Sequence, residues 1–114
     1  MKDKAVKLVV FVSESYADAV RSALAEAGAG IIGDYTHCSF SVKGVGRFIP
    51  LPDAHPTTGT IGKLKEVVEE KIETICDEKN LDAVIAAVKK AHPYEEVAID
   101  VYPLLRHPHE ITNT

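Results

Sequence analysis

The chain has 114 residues, 46% of them hydrophobic, with 17 acidic against 13 basic residues and a formal net charge of −4. That length suits one domain built on one hydrophobic core. The acidic balance and scattered Lys and Arg argue against a nucleic-acid footprint, which needs a basic patch, and no apolar run approaches the ~20 residues that span a bilayer.

The chain starts polar, with Lys2, Asp3, Lys4 and Lys7, and the apolar run that follows is too short for a secretory signal. Cys38 and Cys76 form neither a Cys-x-x-Cys pair nor a disulfide framework. A cytoplasmic, reduced setting is therefore expected, with neither membrane nor nucleic acid as a partner.

Residues 7–12 (KLVVFV) are β-branched and apolar on both faces, Val9 and Phe11 on one, Leu8, Val10 and Val12 on the other. Such a strand belongs mid-sheet. Ser13 and Ser15 are candidate N-caps. Tyr16, Val20, Ala23, Leu24 and Ala27 then recur at helical spacing, and Gly28 falls where a C′ glycine ends a helix, giving a first helix over 16–27.

Residues 28–33 (GAGIIG) match the dinucleotide fingerprint letter for letter. The context is inverted, because the motif must follow a strand and open a helix. Its glycines read as turn residues. Residues 37–45 alternate, with Phe40 and Val42 against Ser39, Ser41 and Lys43, and continue through Gly44 and Gly46 to Phe48 as a bent second strand. Residues 50–62 hold three prolines, two glycines and three threonines and form a long loop. Gly62-Lys63 lacks the surrounding pattern of a Walker A site.

The third strand covers 66–75 despite its charges, with Val68, Ile72 and Thr74 on one face. A hairpin symmetric about the loop would bring Cys38 near Cys76. Asp77 can cap the second helix, where Leu81, Val84, Ile85 and Val88 give the clearest amphipathic pattern. Lys89 and Lys90 suit its C-terminal dipole, and Pro93 stops it at His92. Val97, Ile99 and Val101 make the fourth strand, closed by Pro103.

The order β-α-β-β-α-β predicts an α+β, ferredoxin-like sandwich over residues 1–105: a four-stranded antiparallel sheet with two helices on one face. Residues 106–114 read as a polar tail, where His107 and His109 would bind metal only adventitiously. The sheet's other face is open, yet the first strand offers apolar side chains to both. An oligomer is expected to cover it.

Four segments together carry a family pattern. They are Gly28-Ala29-Gly30 through Ile32-Gly33, Tyr35 and His37-Cys38-Ser39-Phe40; Gly44, Gly46, Phe48 and Pro50; Ile72-Glu73-Thr74; and His92-Pro93-Tyr94-Glu95-Glu96. They resemble the intervening domain found inside the Nif-three-like (YqfO type) dinuclear-metal-centre proteins, over residues 7–105. The resemblance implies a CutA-like or PII-like ferredoxin fold that tends to form trimers. The flanking lobes that would carry the dinuclear site are not in this sequence, so neither that site nor the hydrolase or cyclohydrolase labels of the long proteins are carried over.

Two clusters carry candidate chemistry. His92, Glu95 and Glu96, with His37 brought from elsewhere or from a neighbouring subunit, are candidate ligands for a divalent metal: zinc, copper or manganese. Tyr94, with Asp53 and His55 of the loop, is the candidate set for a small ligand. The structural alternative is a helix-to-strand connection in which Pro93 sets the turn, Tyr94 packs and His92 satisfies a backbone group. His37 and Cys38 are strand neighbours pointing to opposite faces, so a thiol–imidazole dyad is not expected. The loop over 51–62 sits, by resemblance, where PII proteins carry a partner-contacting loop. The expected function is a non-enzymatic binding, regulatory or assembly module. It would be a homo-oligomer, most simply a trimer, taking a metal or small ligand at subunit boundaries. A PII-like nucleotide-responsive regulator and a metal-dependent hydrolase are the alternatives.

Overall fold

In the computed structural model, which describes residues 4–105, the central element is β1 (Ala5–Ser13). It pairs antiparallel with β3 (Lys65–Asp77) on one side and β4 (Ala98–Pro103) on the other. β2 (Phe40–Phe48) adds to the far edge of β3, so the sheet order is β2-β3-β1-β4. α1 (Ala17–Glu26) and α2 (Leu81–Ala91) complete the expected β-α-β-β-α-β ferredoxin-like fold. No described helix is long and apolar enough to cross a membrane.

The alternation in β1 sets the two faces. Leu8, Val10 and Val12 point to the helices and are fully buried with Val20 and Leu24 of α1, Val84 and Val88 of α2, and Ile72 of β3. Each such side chain contributes roughly 1.5–3 kcal/mol by leaving water. Arg21 ties α1 to the sheet, donating to the Glu70 carboxylate at 2.6 Å while also pairing with Asp18. On the opposite face Val9 is only 1% exposed, but β2 presents Phe40 at 67% and Val42 at 47%.

The helix starts differ from expectation. Ser13 and Asp77 each stand before a 3₁₀ turn, Glu14–Tyr16 and Glu78–Asn80, and neither makes a side-chain cap bond. Tyr16 and Asn80 precede the α-helices, also without one. The backbone takes over part of the task, with the Glu78 N–H donating to the Lys4 carbonyl at 2.7 Å.

The first helix ends as its sequence predicts. Gly28 adopts a φ of 107°, its N–H reaches the Ala25 carbonyl at 3.1 Å, and the Ala29 N–H reaches Leu24 at 2.9 Å. These two bonds form a Schellman closure. The chain then turns toward β2, so the glycine-rich stretch follows a helix and precedes a strand, as its turn reading requires. Gly30 sits with its N–H on the Ile75 carbonyl at 2.7 Å and its carbonyl accepting from the Cys38 N–H at 2.9 Å.

Gly30 also corrects the cysteine expectation. Phe40 pairs with Glu73, and continuing that register would set Cys38 opposite Ile75. Gly30 occupies that rung instead, and the Cys38 carbonyl accepts from the Thr74 hydroxyl at 2.7 Å. Both cysteines are free thiols.

The loop between β2 and β3 is folded rather than open. The Gly62 N–H donates to the Pro50 carbonyl at 2.8 Å, closing its base, and tight turns follow at Leu51–Ala54 and Thr60–Lys63. The tail over 106–114, with His107 and His109, lies outside the described residues.

Candidate functional site

Pro93 disfavours helical geometry at the residue before it. His92 accordingly leaves α2 in an extended conformation, φ −88° and ψ 134°. Its ring turns inward and is 6% exposed. The ring Nε2 lies 2.7 Å from the Phe11 carbonyl of β1, and Nδ1 lies 3.2 Å from the Tyr94 backbone N–H. A carbonyl can only accept and an N–H can only donate. These partners therefore assign the neutral tautomer with the proton on Nε2.

Tyr94 follows with its ring edge-on to His92, centroids 4.8 Å apart. Its hydroxyl is buried and makes no hydrogen bond among the described residues. Burial raises its pKa above the usual 10.0, and the nearby Glu69 charge adds to the shift. The Glu69 side chain lies across Gly46, where a methyl group would overlap its carboxylate.

The next two residues meet the long loop. The Glu95 carboxylate accepts the His55 backbone N–H at 2.8 and 3.2 Å, and the Thr57 hydroxyl donates to the Pro93 carbonyl at 2.9 Å. Gly59, at φ 96°, lies over Phe48, whose ring edge would stand 3.2 Å from an added Cβ. The loop thereby roofs a cleft of about 490 Å³. Its walls are mainly apolar, with Phe11, Phe48, Pro50 and Leu51, and Glu69, Tyr94, Glu95 and Glu96 supply polar groups.

The structure thus brings Tyr94, Glu95, Glu96 and the loop backbone at His55 to one place. Asp53 is exposed on the loop and does not line the cleft. His37 is elsewhere, exposed at a left-handed φ of 61° and lining a separate cleft of about 290 Å³ beside α1 with Arg21, Cys38 and Thr74. Among the described residues no three His, Cys, Asp or Glu side chains converge as metal ligands would. His92 serves here as the connection's anchor, with both ring nitrogens engaged. Glu69 and Phe48 were not among the candidate site residues of the sequence. Gly44-x-Gly46 inside a strand is the one signal that pointed toward them, since strand glycines mark close approach.

The sequence matches no protein-family model. It is 48% identical over 108 residues to a Bacillus subtilis protein named GTP cyclohydrolase 1 type 2 homolog, covering 95% of this chain and 29% of that protein. A Halalkalibacterium halodurans protein of the same name is 52% identical over 98 residues, covering 86% of this chain and 26% of that one. The chain thus spans less than a third of the length of these curated relatives. The solved Bacillus cereus protein related to NIF3 superposes with a TM-score of 0.81 at 47% identity, covering 91% of this chain and 26% of that one. CutA from Archaeoglobus fulgidus superposes with a TM-score of 0.69 at 17% identity, covering 96% and 92%, which concerns the fold alone.

Proposed function

This chain is a homologue of one segment of the Nif-three-like (YqfO type) proteins, and from that premise we propose that it is a binding module whose site is the cleft beneath the 50–62 loop. The observation that carries the reading is the closure of that loop. Glu95 and Pro93 of the connection hold His55 and Thr57 of the loop, and so shape a mainly apolar hollow with a few polar groups, which is how small-molecule sites are commonly built. Binding is favoured over catalysis because no nucleophile with a partnered base converges there among the described residues. The reaction in the relatives' name stays with those longer proteins.

The test is a small-molecule panel read by amide chemical shifts and thermal unfolding. A ligand that binds the folded state raises its stability, by about 2.7 kcal/mol at a hundredfold excess over Kd. Shifts centred on residues 46–49, 57–58 and 94–96 are expected. A panel whose every hit maps elsewhere would remove this site.

A second, compatible reading is self-association through the open sheet face. What favours it is the apolar exposure of Phe40 and Val42 on β2. Light scattering should give a homo-oligomer, reduced to monomer by Phe40→Lys with the fold retained. A monomer at about 100 μM, where an oligomer of micromolar Kd is largely assembled, would end that reading. Nucleotide binding is the less favoured occupant, because the carboxylates lining the cleft oppose a triphosphate.

A further inference from the structure

Resting on the cleft as a ligand site, the charge pattern around it narrows the ligand class. Arg47 is the one basic residue lining the cleft among the described residues, and it is already paired with Glu66 at 3.2 Å. Glu95 is occupied with the His55 N–H. Glu69 and Glu96 also line the cleft and form no ion pair among the described residues. Glu69 is half-buried and lines the cleft together with Phe11 and Phe48. A carboxylate placed against apolar surface loses hydration, and no cation among the described residues pairs with it in its place.

Near Glu69 lies the buried Tyr94 hydroxyl, whose pKa burial and that carboxylate together raise. It is a donor within reach of the Glu69 carboxylate's charge. Gly46 leaves the space the carboxylate occupies. Two uncompensated negative charges beside aromatic faces suit a ligand with a positive head and a flat apolar body, because both the carboxylates and the rings attract a cation.

We propose that the cleft selects an organic cation, an aromatic or apolar molecule bearing an ammonium or amidinium group that pairs with Glu69. Glu96 adds charge at the rim, and Tyr94 acts as a positioning residue for Glu69. A volume of about 490 Å³ accommodates a molecule of one or two rings.

Three isosteric probes separate charge from shape: benzamidine (cationic), benzamide (neutral) and benzoate (anionic). Each is titrated into isotope-labelled protein and followed at the amides of residues 46–49, 57–58 and 94–96. Benzamidine should bind at least about tenfold more tightly than benzamide, the lower end of what a charge-assisted hydrogen bond supplies, and benzoate should bind most weakly. Glu69→Gln should abolish the preference by weakening benzamidine far more than benzamide. Glu96→Gln, at an exposed residue whose loss leaves the core untouched, should reduce the preference in part. Tyr94→Phe should weaken benzamidine more than benzamide. Equal binding of benzamide and benzamidine at these amides would overturn the cation selectivity and leave the cleft as a neutral-ligand site. If none of the three moves these amides while the spectrum stays dispersed, both the selectivity and the site fall.

Discussion

The Glu95 carboxylate grips the His55 backbone N–H from forty residues away, with its two oxygens at 3.2 and 2.8 Å. Together with the Thr57 hydroxyl on the Pro93 carbonyl, this side chain makes a hairpin tip the roof of a cleft. It is a charge-assisted bond at an exposed site, so it contributes about 1 kcal/mol locally and little to global stability.

Glu95→Ala should therefore release the loop without unfolding the domain. Hydrogen exchange at the His55 amide should speed up by about fivefold, in line with a local loss of about 1 kcal/mol. The urea midpoint should barely move. Unchanged protection at His55 would mean that the bond does not hold the loop.

His92 carries a larger structural role. Removing its ring leaves the Phe11 carbonyl without its donor and opens a void beneath the end of α2. His92→Ala should cost about 2–4 kcal/mol, the sum of an unsatisfied buried acceptor and a core truncation. Denaturant unfolding measures it, and a loss below about 0.5 kcal/mol would contradict the anchoring role. Any stabilisation by added zinc should persist in this variant, since neither ring nitrogen is free for a metal.

The two glycines of β2 should behave differently. A Cβ on Gly44 meets nothing within 4 Å, whereas one on Gly46 meets the end of the Glu69 side chain. Gly44→Ala should be neutral or slightly stabilising, because strands disfavour glycine. Gly46→Ala should displace the flexible Glu69 at a cost under about 1 kcal/mol and yet impair the cleft. Benzamidine titration of the two variants should separate them. Equal affinity in both would mean that Glu69 does not depend on the space at Gly46.

Tyr94 gives a pH signature. Its folded pKa is raised, chiefly by burial, above the ordinary 10.0. The folded state then holds this proton more firmly than the unfolded state, so the associated stability is intact below about pH 10 and is lost as pH rises through the folded value. Tyr94→Phe should flatten that alkaline decline and change stability at pH 7 by less than about 1 kcal/mol. Thermal melts from pH 7 to 11.5, covering roughly this window, check both. An identical alkaline slope in the variant would remove Tyr94 as its source.

Much of the fold was legible from local pattern. The doubly apolar β1, the spacing of Leu81, Val84, Ile85 and Val88, and the stop at Pro93 each express a preference of the chain over a few residues, and tertiary packing agreed with them. Where packing and local preference diverged, the sequence misled. Ser13 and Asp77 look like caps, but 3₁₀ turns intervene between them and the α-helices. Gly30 took a rung that hairpin symmetry would have given to Cys38. The candidate site was half legible: Tyr94, Glu95 and Glu96 stood out as a cluster, whereas Glu69 hid among the many charges of β3. His37 looked like their companion by residue type alone. The loop's attachment had no local signal, because a carboxylate meeting a backbone N–H forty residues away leaves no periodicity to find.

The cleft takes Phe11 from β1, Phe48 from β2, Glu69 from β3 and Tyr94 from the connection after α2. The β2–β3 hairpin can form early, since its strands are neighbours in sequence. Pairing Val9 with Glu73 closes a loop of more than sixty residues, and pairing it with Asp100 one of about ninety, which is the slow kind of contact. The hollow therefore comes into being only after the chain's most distant strands have met, so an occupant would bind the finished fold and slow its unfolding, while leaving the first steps of folding untouched.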